Sequence, residues 1–147
     1  TAFSTYGGFW MSLGIFVTLA VTVHSFGDEL KGANLPNAVA WFLLAFAIFN
    51  TYMLLWSTQV SVAVFLVFLT LEATEILLVI GNFDAAHGNA NNGWIHLGGW
   101  VGIATALVAW YTSAAGVING MTGRIVLPVG SPLHMGRRSP IVRGQHA

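Results

Sequence analysis

Glu72 and Glu75 stand three positions apart inside a run, residues 60–80, whose other side chains are apolar or hydroxyl-bearing. On a helix that spacing puts both carboxyls on one face. An ionisable group at that depth in a segment of bilayer length is costly, and its presence points to function. Binding a proton removes the charge that apolar surroundings penalise, so the pair can hold or pass one. The same carboxyls can instead be hydrogen-bonded glue to a neighbouring helix, through partners such as Asn50, Thr70 or Thr74. Residue type leaves both uses open, and gluing is the commoner of the two.

Asn50 and Thr51 lie within a second apolar run, where an amide must find a partner or line water. A hydrogen bond between helices is the simpler expectation for them. Tyr6 opens the first apolar run, and its hydroxyl can donate to a carboxylate or anchor at the membrane surface. His24 and His96 fall at span ends, where an axial haem pair is geometrically conceivable, but no pattern supports one and no cofactor is expected. Nucleotide loops, Ser/His/Asp arrangements and metal motifs are missing from the sequence. The absence of cysteine removes disulfides and thiol chemistry together. Nothing here predicts an enzyme.

The elements that must position these residues follow from composition. Hydrophobic residues make up 56% of the chain and charged residues only 7%, against about 25% charged in a soluble domain. A water-facing surface cannot be built from so few charges. The formal charge is zero, so no nucleic-acid partner is expected. Four runs are long enough to cross about 30 Å of hydrocarbon: residues 6–23, 38–55, 60–80 and 97–118. The expected fold is all-α, a polytopic helical membrane protein with four transmembrane helices. Residues 119–147 form a basic tail, expected to be disordered at its end.

Positive charge sets the orientation. Arg124, Arg137, Arg138 and Arg143 all lie in the tail, and only Lys31 lies elsewhere. The tail is therefore expected on the cytoplasmic side, with Asp28, Glu29 and Asp84 facing outward. Lipid provides no hydrophobic force between helices, so close packing relies on small residues. The last run carries a stripe of them, Gly98, Gly102, Thr105 or Ala106, Ala109, Ser113 and Gly116. Helix packing is the expected role for Gly98, Gly102, Ala106 and Ala109.

Several segments together resemble the acetate uptake transporter family, whose bacterial type is the succinate–acetate permease. Thr1-Ala2-Phe3-Ser4-Thr5-Tyr6-Gly7-Gly8-Phe9-Trp10 resembles the start of that family's third span. Ile80-Gly81-Asn82 resembles the end of its fifth, and His96-Leu97-Gly98-Gly99-Trp100-Val101-Gly102 the start of its sixth. Ile125-Val126-Leu127-Pro128-Val129-Gly130 is similar to its C-terminal signature. The resemblance implies the last four spans of a six-helix, channel-like bundle. It also implies assembly as a homo-hexamer in the cell membrane, each protomer enclosing a path for acetate, succinate and similar small carboxylates, proton-coupled in some members.

In that family a Phe, a Tyr and a Leu form a narrow apolar constriction. The Tyr maps onto Tyr6 and the Leu onto Leu71, while the Phe has no equivalent here. Glu72 and Glu75 depart from the family pattern, which has apolar or hydroxyl side chains at those positions. They raise the prospect of proton coupling, with Asn50 as a further path-lining candidate. The competing expectation is a structural or assembly subunit that moves nothing, which buried glutamates and small-residue stripes fit equally well.

Overall fold

Asn34 begins the first long helix by accepting from the Asn37 backbone N–H over 3.2 Å, with Pro36 in the opening turn, where its missing N–H costs nothing. The structure is a computed structural model, and it describes residues 10–15 and 34–133. Helix α1 is Leu35–Ser57, α2 is Val62–Ala86 and α3 is Gly93–Thr122. All three are long and apolar enough to cross a membrane. Residues 10–15 are also helical, and the Trp10 ring lies 6.1 Å from that of Phe46 on α1. The rest of the expected span 6–23 lies outside the described residues.

Helix α2 packs against both α1 and α3. The α1–α2 pair is antiparallel: the Asn34 side-chain amide donates to Ala86 O at one end, and Trp41 meets Phe83 edge-on near it. Further along, Asn50 meets Phe68 and Glu72. The α2–α3 pair is antiparallel too, with Gly81 beside Ile95 and Thr74 beside Thr105. The core is correspondingly thin, made chiefly of Ala40, Leu43, Ala47, Ala63, Phe68, Val79 and Ala115. Large apolar side chains such as Trp100 and Trp110 are exposed, as suits helices surrounded by lipid or other spans.

Helix ends depart from the sequence expectation. Residues 81–86, expected as connector because they hold Gly, Asn and Asp, continue α2. Here the glycine serves packing: a Cβ on Gly81 would fall 2.6 Å from Ile95 Cγ1 and 2.9 Å from the Ile95 backbone N. The Asn82 amide folds back onto Leu78 O, 2.8 Å away, and leaves the helix unbroken. Helix α3 begins at Gly93, four residues before the expected start at 97. Buried Asn92 accounts for this, capping Ile95 N at 3.1 Å while its amide donates to Gly81 O and Asn89 O. The connector therefore shrinks to residues 87–92.

The tail does not begin at 119. Helix α3 continues to Thr122 and ends at Gly123, whose φ of +63° is the left-handed conformation that closes helices at low cost. Residues 124–133 then turn back as a strap along the end of the bundle. Asn119 Oδ1 accepts from Val126 N and Leu127 N, and its Nδ2 donates to Leu127 O. Tyr111 donates to Pro128 O. Ala63 N, in the first turn of α2, donates to Val129 O over 2.9 Å, and Leu133 N donates to Thr58 O over 2.8 Å. Gly130, with φ of +74°, lies so close to Val62 that a Cβ would come within 2.7 Å. The end of the tail lies outside the described residues.

Candidate functional site

The polar residues within the spans gather where α1 crosses α2. Ala40, Leu43, Ala47 and Asn50 recur at helical spacing along α1 and form its buried seam. Asn50 is fully buried in that seam. Its Nδ2 donates to Phe68 O over 3.1 Å and to Glu72 Oε2 over 2.6 Å, which uses both amide hydrogens. Asn50 Oδ1 is buried and accepts no hydrogen bond. Thr51 Oγ1 lies 2.8 Å from Ala47 O and 2.7 Å from Glu72 Oε1. Glu72 thus bridges two consecutive residues of α1, each through a different carboxyl oxygen.

Glu75, one turn further along α2, is fully buried, whereas Glu72 is half-buried. The two carboxyls share a helix but meet different surroundings. Of the three partners considered for the glutamates, only Asn50 reaches Glu72. Thr70 bonds back to Leu66 O and Val67 O on its own helix. Thr74 instead meets Thr105 of α3, with the hydroxyls 3.2 Å apart. Leu71 is half-buried on α2, and Tyr6 lies outside the described residues, so the expected pairing of these two is not seen here.

The small-residue stripe of α3 is used over its first half. Gly98 is buried against α2, where a Cβ would lie 2.8 Å from Leu78 Cδ2. Gly102 faces Thr74, whose Cγ2 is 3.3 Å from the position of a Cβ. Beyond that the expectation needs correction: Thr105 continues the contact, and Ala106 is exposed and off it. The face advances by 100° per residue, so only one of two neighbours can follow Gly98 and Gly102 onto the seam. Ala109 is half-buried and lines a cavity of about 390 Å³ between α2 and α3, together with Val64, Val67, Phe68, Thr112 and Ser113.

Asn92 and Asn119, which organise the α2–α3 connector and the strap, carry no expectation from the sequence. Asn92 has a recognisable signal, an Asn directly before a long apolar run. Asn119 has none, because it acts on backbone seven and eight residues away. His96 bonds Asn91 Oδ1 at 3.1 Å, and His24 lies outside the described residues. Among the described residues, no three His, Asp or Glu side chains are grouped to hold a metal.

Chemically, the α1–α2 crossing sets a carboxyl, an amide and a hydroxyl against one another between two apolar helices. That arrangement suits binding or passing small polar species and protons.

The chain is 34% identical to acetate permease A of Emericella nidulans, over 97% of its own length and 51% of the relative's. It is 31% identical to the succinate-acetate/proton symporter SatP of Escherichia coli K12, over 88% of this chain and 63% of that one. The fold superposes on the structure of the bacterial acetate channel SatP with a TM-score of 0.68 and 30% identity, covering 88% of this chain and 66% of the other. The chain therefore spans about half to two-thirds of the length of these relatives. It is an all-helical membrane protein, its residues 1–133 match the model of the GPR1/FUN34/yaaH family, and it belongs to that family.

Proposed function

We propose that the protein to which this chain belongs carries acetate, succinate and similar small carboxylates across the cell membrane, without chemically converting them. The similarity to acetate permease A and SatP over nearly the whole chain carries this reading. A carboxylate sheds most of its hydration in a narrow apolar neck, and hydroxyl and amide donors at stacked weak sites lower that cost without trapping the ion. Tyr6 and Leu71 form the neck, one polar donor against an apolar side chain, suited to a short acid. Glu75 binds a coupled proton beside the path, being one turn from Leu71 on the same helix.

In this reading the protein is a multi-pass homo-hexamer with its C-terminus in the cytoplasm. Arg124 and the three arginines beyond it supply the orienting charge. Uptake of labelled acetate into proteoliposomes tests the function. Accumulation above the protein-free background, competed by succinate, is expected. Liposomes that take up acetate no faster with the protein than without it would reduce the chain to a structural module.

A further inference from the structure

Helix α3 is longer than the bundle it packs into. At about 1.5 Å per residue its 30 residues reach about 45 Å, the thickness of a bilayer with its headgroups rather than of the hydrocarbon alone. Thr112 Oγ1 lies 3.5 Å from Ala63 O in the first turn of α2, so residues 113–122 run past the start of α2 by about 15 Å. The strap folds back along one side of this projection through Tyr111 and Asn119, and Ala115 on that side is fully buried. On the side turned away, Trp110, Ala114, Val117 and Met121 recur at helical spacing and form an exposed apolar ridge. Met121 is 84% exposed, and Ile125, just past the helix end, is 79% exposed. Arg124 stands exposed between them in sequence.

Charge at this end has one sign. Residues 85–147 contain Arg124, Arg137, Arg138 and Arg143 and no Asp, Glu or Lys. The acids among the described residues, Glu72, Glu75 and Asp84, all lie on α2, about 15 Å or more along it from Val62. We infer that the projecting end of α3 is a lipid-binding foot: the ridge and Ile125 lie in the boundary between acyl chains and headgroups, and Arg124 takes the phosphate of an anionic lipid. The length of α3 places the foot at headgroup level. Tryptophan settles at that boundary, and a guanidinium matches the geometry of phosphate. An apolar face beside unopposed positive charge is the pattern of interfacial helices. A free anion would use the arginine and leave the ridge without purpose. The foot stands whichever side the tail faces and whether or not the chain moves carboxylates.

Spin labelling in nanodiscs of phosphatidylglycerol and phosphatidylcholine tests both halves. The chain has no cysteine, so Met121→Cys gives a single attachment point for a label. That label should collide more with oxygen, which concentrates among acyl chains, than with a water-soluble nickel chelate. A label open to the chelate would put the ridge in water, and one shielded from both would put it against protein; either result overturns the foot. The headgroup half is read with spin-labelled lipids, of which phosphatidylglycerol should be enriched at the protein over phosphatidylcholine. Arg124→Gln should lower that enrichment about fivefold, and high salt should weaken it. Arg124 is exposed and meets Thr122 through its backbone oxygen, so the variant keeps its fold. No enrichment in the wild type, or equal enrichment in the variant, would remove the anionic lipid from the proposal and overturn it.

Discussion

Asn50 Nδ2 donates to Glu72 Oε2 over 2.6 Å, and the same nitrogen donates to Phe68 O over 3.1 Å, so one amide fastens α1 to both side chain and backbone of α2. Asn50 is fully buried and lies on the seam formed by Ala40, Leu43 and Ala47. The small residues let the helices approach, and the amide fixes their register.

Replacing Asn50 by Leu should therefore destabilise the helix pair. Hydrogen bonds between membrane helices average about 0.6 kcal/mol and reach about 1.7 kcal/mol, so losing two predicts a cost of about 1–2 kcal/mol. Reversible unfolding in mixed micelles measures this. A variant as stable as the wild type would mean that the amide makes equally good bonds in the unfolded helices.

Gly81 and Gly98 both sit where α2 and α3 touch, but they should respond differently to alanine. At Gly98 the new methyl would meet Leu78 Cδ2, the far end of a flexible side chain. At Gly81 it would meet the Ile95 backbone N at 2.9 Å, so α3 itself must move. Gly81→Ala should cost about 1–3 kcal/mol, the range for overpacking a fitted contact, and Gly98→Ala clearly less. Equal stabilities for the two variants would contradict this distance ordering.

The contrast between those glycines shows what was legible in the sequence. Hydropathy locates the spans because lipid imposes length and composition on them. Helix ends were less legible, because Gly81, Asn82 and Asp84 read as turn formers until their packing is known. Gly81 is a contact point and Asn82 bonds within its own helix. The prominence of Glu72 and Glu75 was visible from residue type alone, and Asn50 was a nameable partner. That Thr51 takes the second carboxyl oxygen, and that Thr105 rather than Ala106 continues the α3 contact, depends on helix rotation. An apolar-all-round sequence does not encode rotation by periodicity.

The strap should loosen when Asn119 is removed. Asn119→Ala deletes three hydrogen bonds to Val126 and Leu127, each contributing about 0.5–1.5 kcal/mol in typical settings. The effect should propagate to Ala63 N and Leu133 N, which bond across the strap and its continuation. Hydrogen exchange at these amides should quicken while the Asn50 region of α1 stays protected. Unchanged exchange at Ala63 would show that Tyr111 and Gly130 hold the strap without Asn119.

If Leu71 forms the apolar side of the neck, Leu71→Ala should widen it and admit larger acids. Leu71 is half-buried, so its removal should cost less stability than that of a fully buried leucine that leaves a cavity, about 2–5 kcal/mol. The substrate range must therefore be compared at equal amounts of folded protein. Uptake of a longer monocarboxylate, measured relative to acetate, should rise. An unaltered ratio would remove Leu71 from the path.

Glu72 and Glu75 should separate in their effect on pH dependence. With a coupled proton, acetate uptake rises as the external pH falls, since more of the binding groups facing outward are loaded. A glutamine cannot bind that proton. Glu75→Gln should therefore flatten the pH profile and abolish accumulation driven by a proton gradient, while downhill acetate movement continues. Glu72→Gln should leave the profile in place, because Glu72 bridges Asn50 and Thr51 of α1 and a glutamine can keep both contacts. Proteoliposome uptake across a series of external pH values measures both variants. A flattened profile in Glu72→Gln with an intact one in Glu75→Gln would exchange the two roles, and intact profiles in both would place the coupled proton on another residue.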